Sequence, residues 1–381
     1  MPQAGEVEIA VSTVRTLPGP RYGALMANPL TPDVLLDPVV LTRALVDIES
    51  VSRDEKAIAD CVEDVLSKAG HLSVRRLGNT VMARTRLGRE QRVILAGHLD
   101  TVPVNGNLPS TVVDDLIYGC GTSDMKSGVA LALHLAVTLP DPRYDVTYLF
   151  YEAEEIESEF NGLNLVAQEH PKWLRADLAV LLEPTFGAVE AGCQGTVHAL
   201  VRTTGRRAHT ARSWRGTNAI HAVGEVLRRL DDYRARTVTI DGCTYREGLS
   251  AVRIAGGVAG NVVPDACEVE VNLRFAPDRS EKDAAEHLRK VFDGFDLEIT
   301  DSAPGAMPGL DAAPAAEFLT TIGVEPAAKL GWTDVARFAA LGIPALNYGP
   351  GDPSLAHAPD EHVEIGKIRD GAATLYRWLA P

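Results

Sequence analysis

An α/β fold is predicted for this chain: a mixed, largely parallel sheet flanked by helices, with a smaller α+β unit inserted into it. Three observations predict it. Short apolar runs at Arg92–Ala96, Val146–Tyr151 and Ala179–Leu182 alternate with helical patterns, as central strands buried on both faces do. After Gly192-Cys193-Gln194-Gly195 the pattern changes to a β-α-β-β-α-β order. Beyond the Pro- and Gly-rich stretch 302–309, a helix and an apolar strand resume the first pattern.

The elements follow in order. Residues 1–30 contain Leu17-Pro18-Gly19-Pro20 and Asn28-Pro29-Leu30-Thr31-Pro32, which predict an irregular extension, and Met26 offers an alternative start. Helical periodicity covers Pro38–Ile48 and Glu55–Lys68. Asp124–Leu139 reads as a further helix with Asp124 at its N-terminal end. In the insert, a strand at Thr196–Thr203 leads through an Arg- and Gly-rich loop to a helix at Asn218–Leu230. Strands at Leu249–Ile254 and Cys267–Phe275, a helix at Glu281–Phe292 and a strand at Asp296–Thr300 complete it. A helix at Ala312–Ile322 and a strand at Ala345–Tyr348 follow. The expected division is one domain from 31–194 with 304–381, and a second from 195–303.

A chain of 381 residues can bury a large core in two domains. The formal net charge of -15 argues against nucleic acid or an anionic membrane as partner, yet leaves room for a local cationic pocket. Cys61, Cys120, Cys193, Cys243 and Cys267 are odd in number and widely spaced, which predicts neither a disulfide framework nor a thiolate metal site. No apolar run approaches the roughly 18 residues of a membrane span. The N-terminus lacks the basic-then-apolar order of a signal peptide, so a cytoplasmic setting is expected.

Ligand sites in open parallel sheets lie outside the carboxyl ends of the strands. The residues after each apolar run should therefore converge. They are His98 and Asp100 in Gly97-His98-Leu99-Asp100-Thr101, the pair Glu154-Glu155, and Glu183 before Pro184. Asp124, after Gly121-Thr122-Ser123, and His357, in Ala356-His357-Ala358-Pro359-Asp360-Glu361, join them. Asp124, Glu154, Glu155 and Glu183 would crowd one place with Asp100 close behind, and only Lys126 is an adjacent cation. Unpaired carboxylates are costly to desolvate. Two divalent metals would balance them, and His with carboxylate donors suits zinc, less specifically cobalt or manganese.

Each residue also has an ordinary reading. His98 alone is a strand-end histidine bonded to its neighbour, Asp124 a helix cap, and Glu154-Glu155 part of a solvated acidic loop with Glu152, Glu157 and Glu159. Their convergence favours the metal reading. Asp124 has two oxygens and can bridge two ions. Glu154 and Glu155 are adjacent and face apart, so one binds metal while the other stays free as a base. His98 and Asp100 share a face of extended chain, which lets the carboxylate orient the imidazole. The stretch 121–127 lacks the Gly before Lys of a phosphate-binding loop, which excludes nucleotide. In the insert, His209 and Arg212 sit in an arginine-rich segment suited to carboxylates, although an exposed loop is the plain alternative. Asn261 reads as a turn residue and Arg274 as the end of an alternating strand.

Together these motifs resemble the co-catalytic metallopeptidase family of deacylases and aminopeptidases. They are His-x-Asp-Thr at 98–101, Ser-Asp-Met-Lys at 123–126, Glu-Glu at 154–155, Glu-Pro at 183–184, Ala-His-Thr-Ala at 208–211 and His-x-Pro-Asp-Glu at 357–361, in the family order. The resemblance runs from about residue 36 to the C-terminus. It implies a di-zinc aminopeptidase-like catalytic domain, a ferredoxin-like dimerisation or lid domain, and a homodimer. It implies that His98 and Glu183 hold one zinc, Glu155 and His357 the other, and that Asp124 bridges, with Co2+ or Mn2+ as substitutes. Asp100 then orients His98, Glu154 is the general base, and His209 reaches the partner subunit's site to polarise the scissile carbonyl. Asn261, Arg274, Arg212 and Thr333 are the implied substrate-binding residues.

Further stretches, at 190–195, 211–214, 244–249 and 331–334, are similar to the actinobacterial members that remove a succinyl group from a diamino acid. The implied substrate is a small acidic N-acyl diamino acid. Acetylornithine deacetylation or dipeptide hydrolysis is the neighbouring alternative, and a non-catalytic metal-binding protein the distant one. Ser127, Ile156 and Arg212-Ser213-Trp214 depart from the common family pattern; the last bears on substrate choice.

Overall fold

The computed structural model describes residues 28–381; most of the irregular extension expected at 1–30, and Met26, lie outside the described residues. An eight-stranded mixed sheet runs in spatial order Ser73–Leu77, Thr80–Arg84, Asp145–Tyr151, Arg92–His98, Leu178–Leu181, Ala345–Asn347, Glu190–Ala191 and Ala327–Ala328. Its four central strands, from Asp145–Tyr151 to Ala345–Asn347, are parallel. Every residue of Asp145–Tyr151 and Leu178–Leu181 is buried, which explains why these strands read as continuous apolar runs.

Alternate residues feed two cores. Val93, Leu95, Val146 and Tyr148 pack on one face with helices Pro38–Val46, Lys56–Lys68, Ser127–Thr138 and Ile365–Leu379. Ile94, Ala96, Leu149 and Leu181 face the other way, toward Gly162–Glu169 and Val335–Ala340. The insert forms a four-stranded antiparallel sheet in the order Gly248–Gly256, Ala266–Phe275, Gly195–Thr204, Asp296–Ala303. Helices Ala219–Asp231 and Glu281–Val291 cover one face of it through Val223, Val226, Ala284 and Leu288. Asn218 caps the first, and a Ser280–Asp283 capping box starts the second.

Two expectations are corrected. The helix predicted from Asp124 begins at Ser127, and Asp124 lies in a kinked turn with φ -119° and ψ 95°, so it is not a helix cap. The hairpin of Thr237–Ile240 and Cys243–Arg246 was not anticipated, although Asp241-Gly242, both at positive φ, is a favoured two-residue hairpin turn.

Two glycines allow the close approaches that place the end of the strand Leu178–Leu181. A Cβ on Gly128 would lie 2.0 Å from the Leu182 carbonyl oxygen, and one on Gly349 would lie 2.4 Å from that of Glu183. The Leu182–Glu183 backbone is thus clasped between a helix and the segment leading to His357. Gly128→Ala is expected to destabilise the fold by about 1–3 kcal/mol through overpacking, read as a lower denaturant midpoint; an unchanged midpoint would contradict the close approach.

Candidate metal centre

The carboxyl ends of the central parallel strands meet at one place. His98 is the last residue of its strand. Asp145–Tyr151 turns at Ala153, whose φ of 56° is left-handed, and delivers Glu154 and Glu155. Glu183 follows Leu178–Leu181, and the chain beyond Ala345–Asn347 brings His357, itself at φ 63°. Non-glycine residues in this conformation carry strain, a frequent feature of functional sites.

The donor atoms fall into overlapping groups, each within 4.8 Å: His98, Asp124 and Glu183; Asp124, Glu155 and His357; His98, Glu154 and Glu155. Asp124 belongs to the first two. His98 Nε2 lies 3.2 Å from one Asp124 oxygen, and His357 Nε2 lies 3.8 Å from the other and 2.9 Å from Glu155. Buried Oε1 of Glu183 has no hydrogen-bond partner. A buried anionic oxygen left unpaired among His and carboxylate donors is what a cation would satisfy, so these residues fit a pair of divalent ions.

Burial penalises charge here, and like charges add to it. The Glu183 pKa is pushed up to about 8 by burial and by Asp124. Glu154 is raised well above the carboxylate range by burial, then by Asp334. For His98 burial opposes protonation, yet contact with Asp100 and Asp124 holds its pKa well above the usual value. Burial would raise Asp100, but His98 and backbone N–H donors bring it down to about 2. A bound cation favours every carboxylate's charged form.

Asp100 meets His98 through its backbone more closely than through its carboxylate. The His98 Nδ1 donates to the Asp100 carbonyl oxygen at 2.9 Å, while the carboxylate is 3.5 Å away. That carboxylate instead accepts from the backbone N–H of Glu154 at 3.0 Å and of Glu155 at 3.1 Å, and from Ser52 Oγ at 2.7 Å. It therefore fixes the turn bearing both glutamates. Glu361, given no role from sequence, acts in the same way on Asp124. Its buried carboxylate accepts from the N–H groups of Gly121 (2.9 Å), Ser123 (2.8 Å) and Asp124 (3.0 Å). Its place in the motif after His357 was the available signal.

Lys126, the one adjacent cation, donates to the Ile48 carbonyl at 2.7 Å and is not ion-paired with the donor carboxylates. Its burial brings its pKa down to about 8.

A cavity of about 860 Å3 adjoins the centre, lined by Glu154, Thr196, Arg274, Asp301, Trp332 and Arg337 among others. Arg274 thus lies where an acidic substrate could reach it. Thr333 is buried, its hydroxyl lies 3.1 Å from Asn347 Oδ1, and its neighbour Trp332 lines the cavity. His209, Arg212 and Asn261 are exposed on the insert and join none of the donor groups. His209 Nδ1 accepts from Ala211 N–H at 3.0 Å, and the Asn261 carbonyl accepts from Thr210 N–H. Asp334, buried behind Glu154 and paired with Arg337, was also missed.

The model for peptidase family M20/M25/M40 matches residues 94–380. The chain belongs to this family. It is 58% identical over 350 residues to a Mycobacterium tuberculosis protein assigned as a succinyl-diaminopimelate desuccinylase, covering 91% of this chain and 99% of that one. It is 48% identical over 359 residues to the succinyl-diaminopimelate desuccinylase of Corynebacterium glutamicum, covering 91% and 97%. A dinuclear metal-binding peptidase of the M20 family from Bacillus subtilis shares the fold at a TM-score of 0.66 and 16% identity, over 90% of this chain and 96% of that chain.

Glu361→Gln, which keeps size but replaces an accepting oxygen with a donor, is expected to weaken metal binding about 10–100-fold with the fold retained. Equilibrium dialysis against zinc measures it; wild-type affinity would contradict the role of Glu361.

Proposed function

We propose that this protein is a di-metal amide hydrolase that converts N-succinyl-LL-2,6-diaminopimelate and water to succinate and LL-2,6-diaminopimelate, in lysine and cell-wall precursor synthesis. The observation that carries the hydrolase reading is the sharing of Asp124 between two donor groups, while Glu154 joins only the third, with His98 and Glu155, and also lines the cavity. The names of the relatives at 58% and 48% identity support the substrate.

In this reading His98 and Glu183 hold one ion, Glu155 and His357 the other, and Asp124 bridges; zinc is the proposed metal. Ions bound there supply Lewis acidity toward the amide carbonyl and lower the pKa of water. Glu154 takes the proton from the attacking water and returns it to the leaving amine. Its place at the wall of the cavity suits a group that exchanges a proton with water and substrate there. Asp100 keeps His98 and the Glu154–Glu155 turn in place. Arg274 receives a substrate carboxylate in the cavity, and its charge there has no carboxylate partner within ion-pair distance among the described residues.

The insert, taken as residues 195–303, is the proposed dimerisation and lid domain. Its edge strand Gly248–Gly256 is exposed along most of its length, with Val252 and Ile254 more than half exposed and Ile220 and Leu227 on the adjacent helix also exposed. An open apolar edge of this kind is a pairing surface, which supports a homodimer. His209, Arg212 and Asn261, remote from their own donor groups, are then proposed to serve the partner subunit's site. A cytoplasmic location belongs to the same proposal; among the described residues no helix is long and apolar enough to cross a membrane.

Zinc-loaded protein is expected to release amine from N-succinyl-LL-diaminopimelate in preference to N-acetylornithine or a dipeptide, and chelator should abolish it. Preference for either alternative would discard the substrate; cleavage of none with metal bound would discard the hydrolase. Glu154→Gln should retain metal and lose about 10²–10⁴ in kcat, and near wild-type turnover would contradict its role as base.

A further inference from the structure

The face of the four-stranded sheet turned away from its helices carries a polar bracket around Arg274, whose other members, Thr196, His198 and Asn272, have no part in the mechanism above. Strands Ala266–Phe275 and Gly195–Thr204 pair so that Arg274 lies opposite Thr196 and Asn272 opposite His198. Cross-strand partners and residues two apart share a face. The alternate residues Val197, Ala199, Val271 and Leu273 fill the opposite face against the helices.

Asn272 is the centre of the bracket. Its Nδ2 donates to Thr196 Oγ1 at 2.8 Å and to His198 Nε2 at 2.9 Å, with the Val197 carbonyl at 3.5 Å. Its Oδ1 accepts from Arg274 Nε at 3.2 Å. An amide has two N–H donors and one accepting oxygen. Turned over, it would set N–H against N–H at Arg274, so the Arg274 contact fixes its orientation. His198 presents Nε2 as acceptor, and its Nδ1 lies 3.7 Å from Glu270, which is paired with Arg253 at 3.0 Å. The polar row thus continues along the same face of the sheet toward the strand Gly248–Gly256.

The consequence falls on Arg274. Its Nε is held by a neutral oxygen, which leaves the guanidinium charge uncompensated, whereas a carboxylate in place of Asn272 would neutralise it. Asp301, on the strand Asp296–Ala303 beyond Gly195–Thr204 and in the same cavity, makes no ion pair with it. The terminal edge of the guanidinium remains available for two parallel bonds to a carboxylate. We infer that Asn272, braced by Thr196 and His198, is a positioning residue that aims the Arg274 guanidinium into the cavity to grip a carboxylate of the substrate. The inference rests on the proposed function, because it needs an acidic substrate there.

The test is a double-mutant cycle of Asn272→Ala and Arg274→Ala in the metal-loaded enzyme. The substrates are N-succinyl-LL-diaminopimelate, its succinyl methyl ester and its α-carboxamide. Arg274→Ala should raise KM for the free acid about tenfold or more, and Asn272→Ala about threefold to tenfold, with kcat little changed. The double variant should match Arg274→Ala alone. The blocked analogue on which neither substitution acts identifies the carboxylate gripped. Asn272→Asp preserves shape, so it guards against misfolding, and it should raise KM for the free acid above the Asn272→Ala value by occupying Arg274. Additive penalties, equal penalties on all three substrates, or wild-type behaviour of Asn272→Asp would overturn the positioning role. A wild-type enzyme that cleaves all three equally well would instead overturn the acidic-substrate reading beneath it.

Discussion

Like charge crowded at the carboxyl ends of four parallel strands is the constraint around which this molecule is built. Asp124, Glu155 and Glu183 lie in overlapping groups with His98 and His357, and Glu154 adjoins them. No Lys or Arg is ion-paired with Asp124, Glu154, Glu155 or Glu183 among the described residues. The protein holds this unfavourable set together with backbone N–H donors directed at two further carboxylates, Asp100 and Glu361. Each immobilises a turn that carries donors, and neither needs to touch a metal. The centre is therefore pre-organised by hydrogen bonds that draw on the fold itself, with close glycine contacts at Gly128 and Gly349 setting the backbone of Glu183.

In the proposed function this arrangement separates metal binding from proton transfer. Asp124 spans both donor groups, and Glu155 and His357 close the second. Glu154 is the neighbour of Glu155 in sequence yet reaches only the group with His98. It lies near buried Asp334 and at the wall of the cavity. Arg274, brought by the insert, faces the same cavity. In the proposed function the two structural units divide the work: the large sheet would assemble the reactive groups, and the four-stranded sheet would supply recognition through Arg274.

Much of this was legible in the sequence, for a physical reason. Buried parallel strands read as apolar runs, so His98, Glu154, Glu155 and Glu183 announced themselves as polar residues at strand ends. Helix and strand positions in the insert followed from its periodicity, apart from the hairpin of Thr237–Ile240 and Cys243–Arg246. The helix expected from Asp124 starts three residues later, because the helical pattern does not reveal the kinked turn that presents its carboxylate. Glu361 escaped because it acts on N–H groups some 240 residues away, and Asn272 because its role depends on cross-strand register. Thr333 lay in a telling motif, but burial turned its hydroxyl to Asn347 and gave the cavity wall to Trp332.

The central claim is that one carboxylate, Asp124, belongs to two metal sites. Calorimetric titration of metal-free protein with zinc tests it most directly, comparing wild type with Asp124→Ala and His357→Ala. The account predicts two ions per chain for wild type, one tight site remaining in His357→Ala, and no tight site in Asp124→Ala. An Asp124→Ala protein that keeps one ion at wild-type affinity would contradict it.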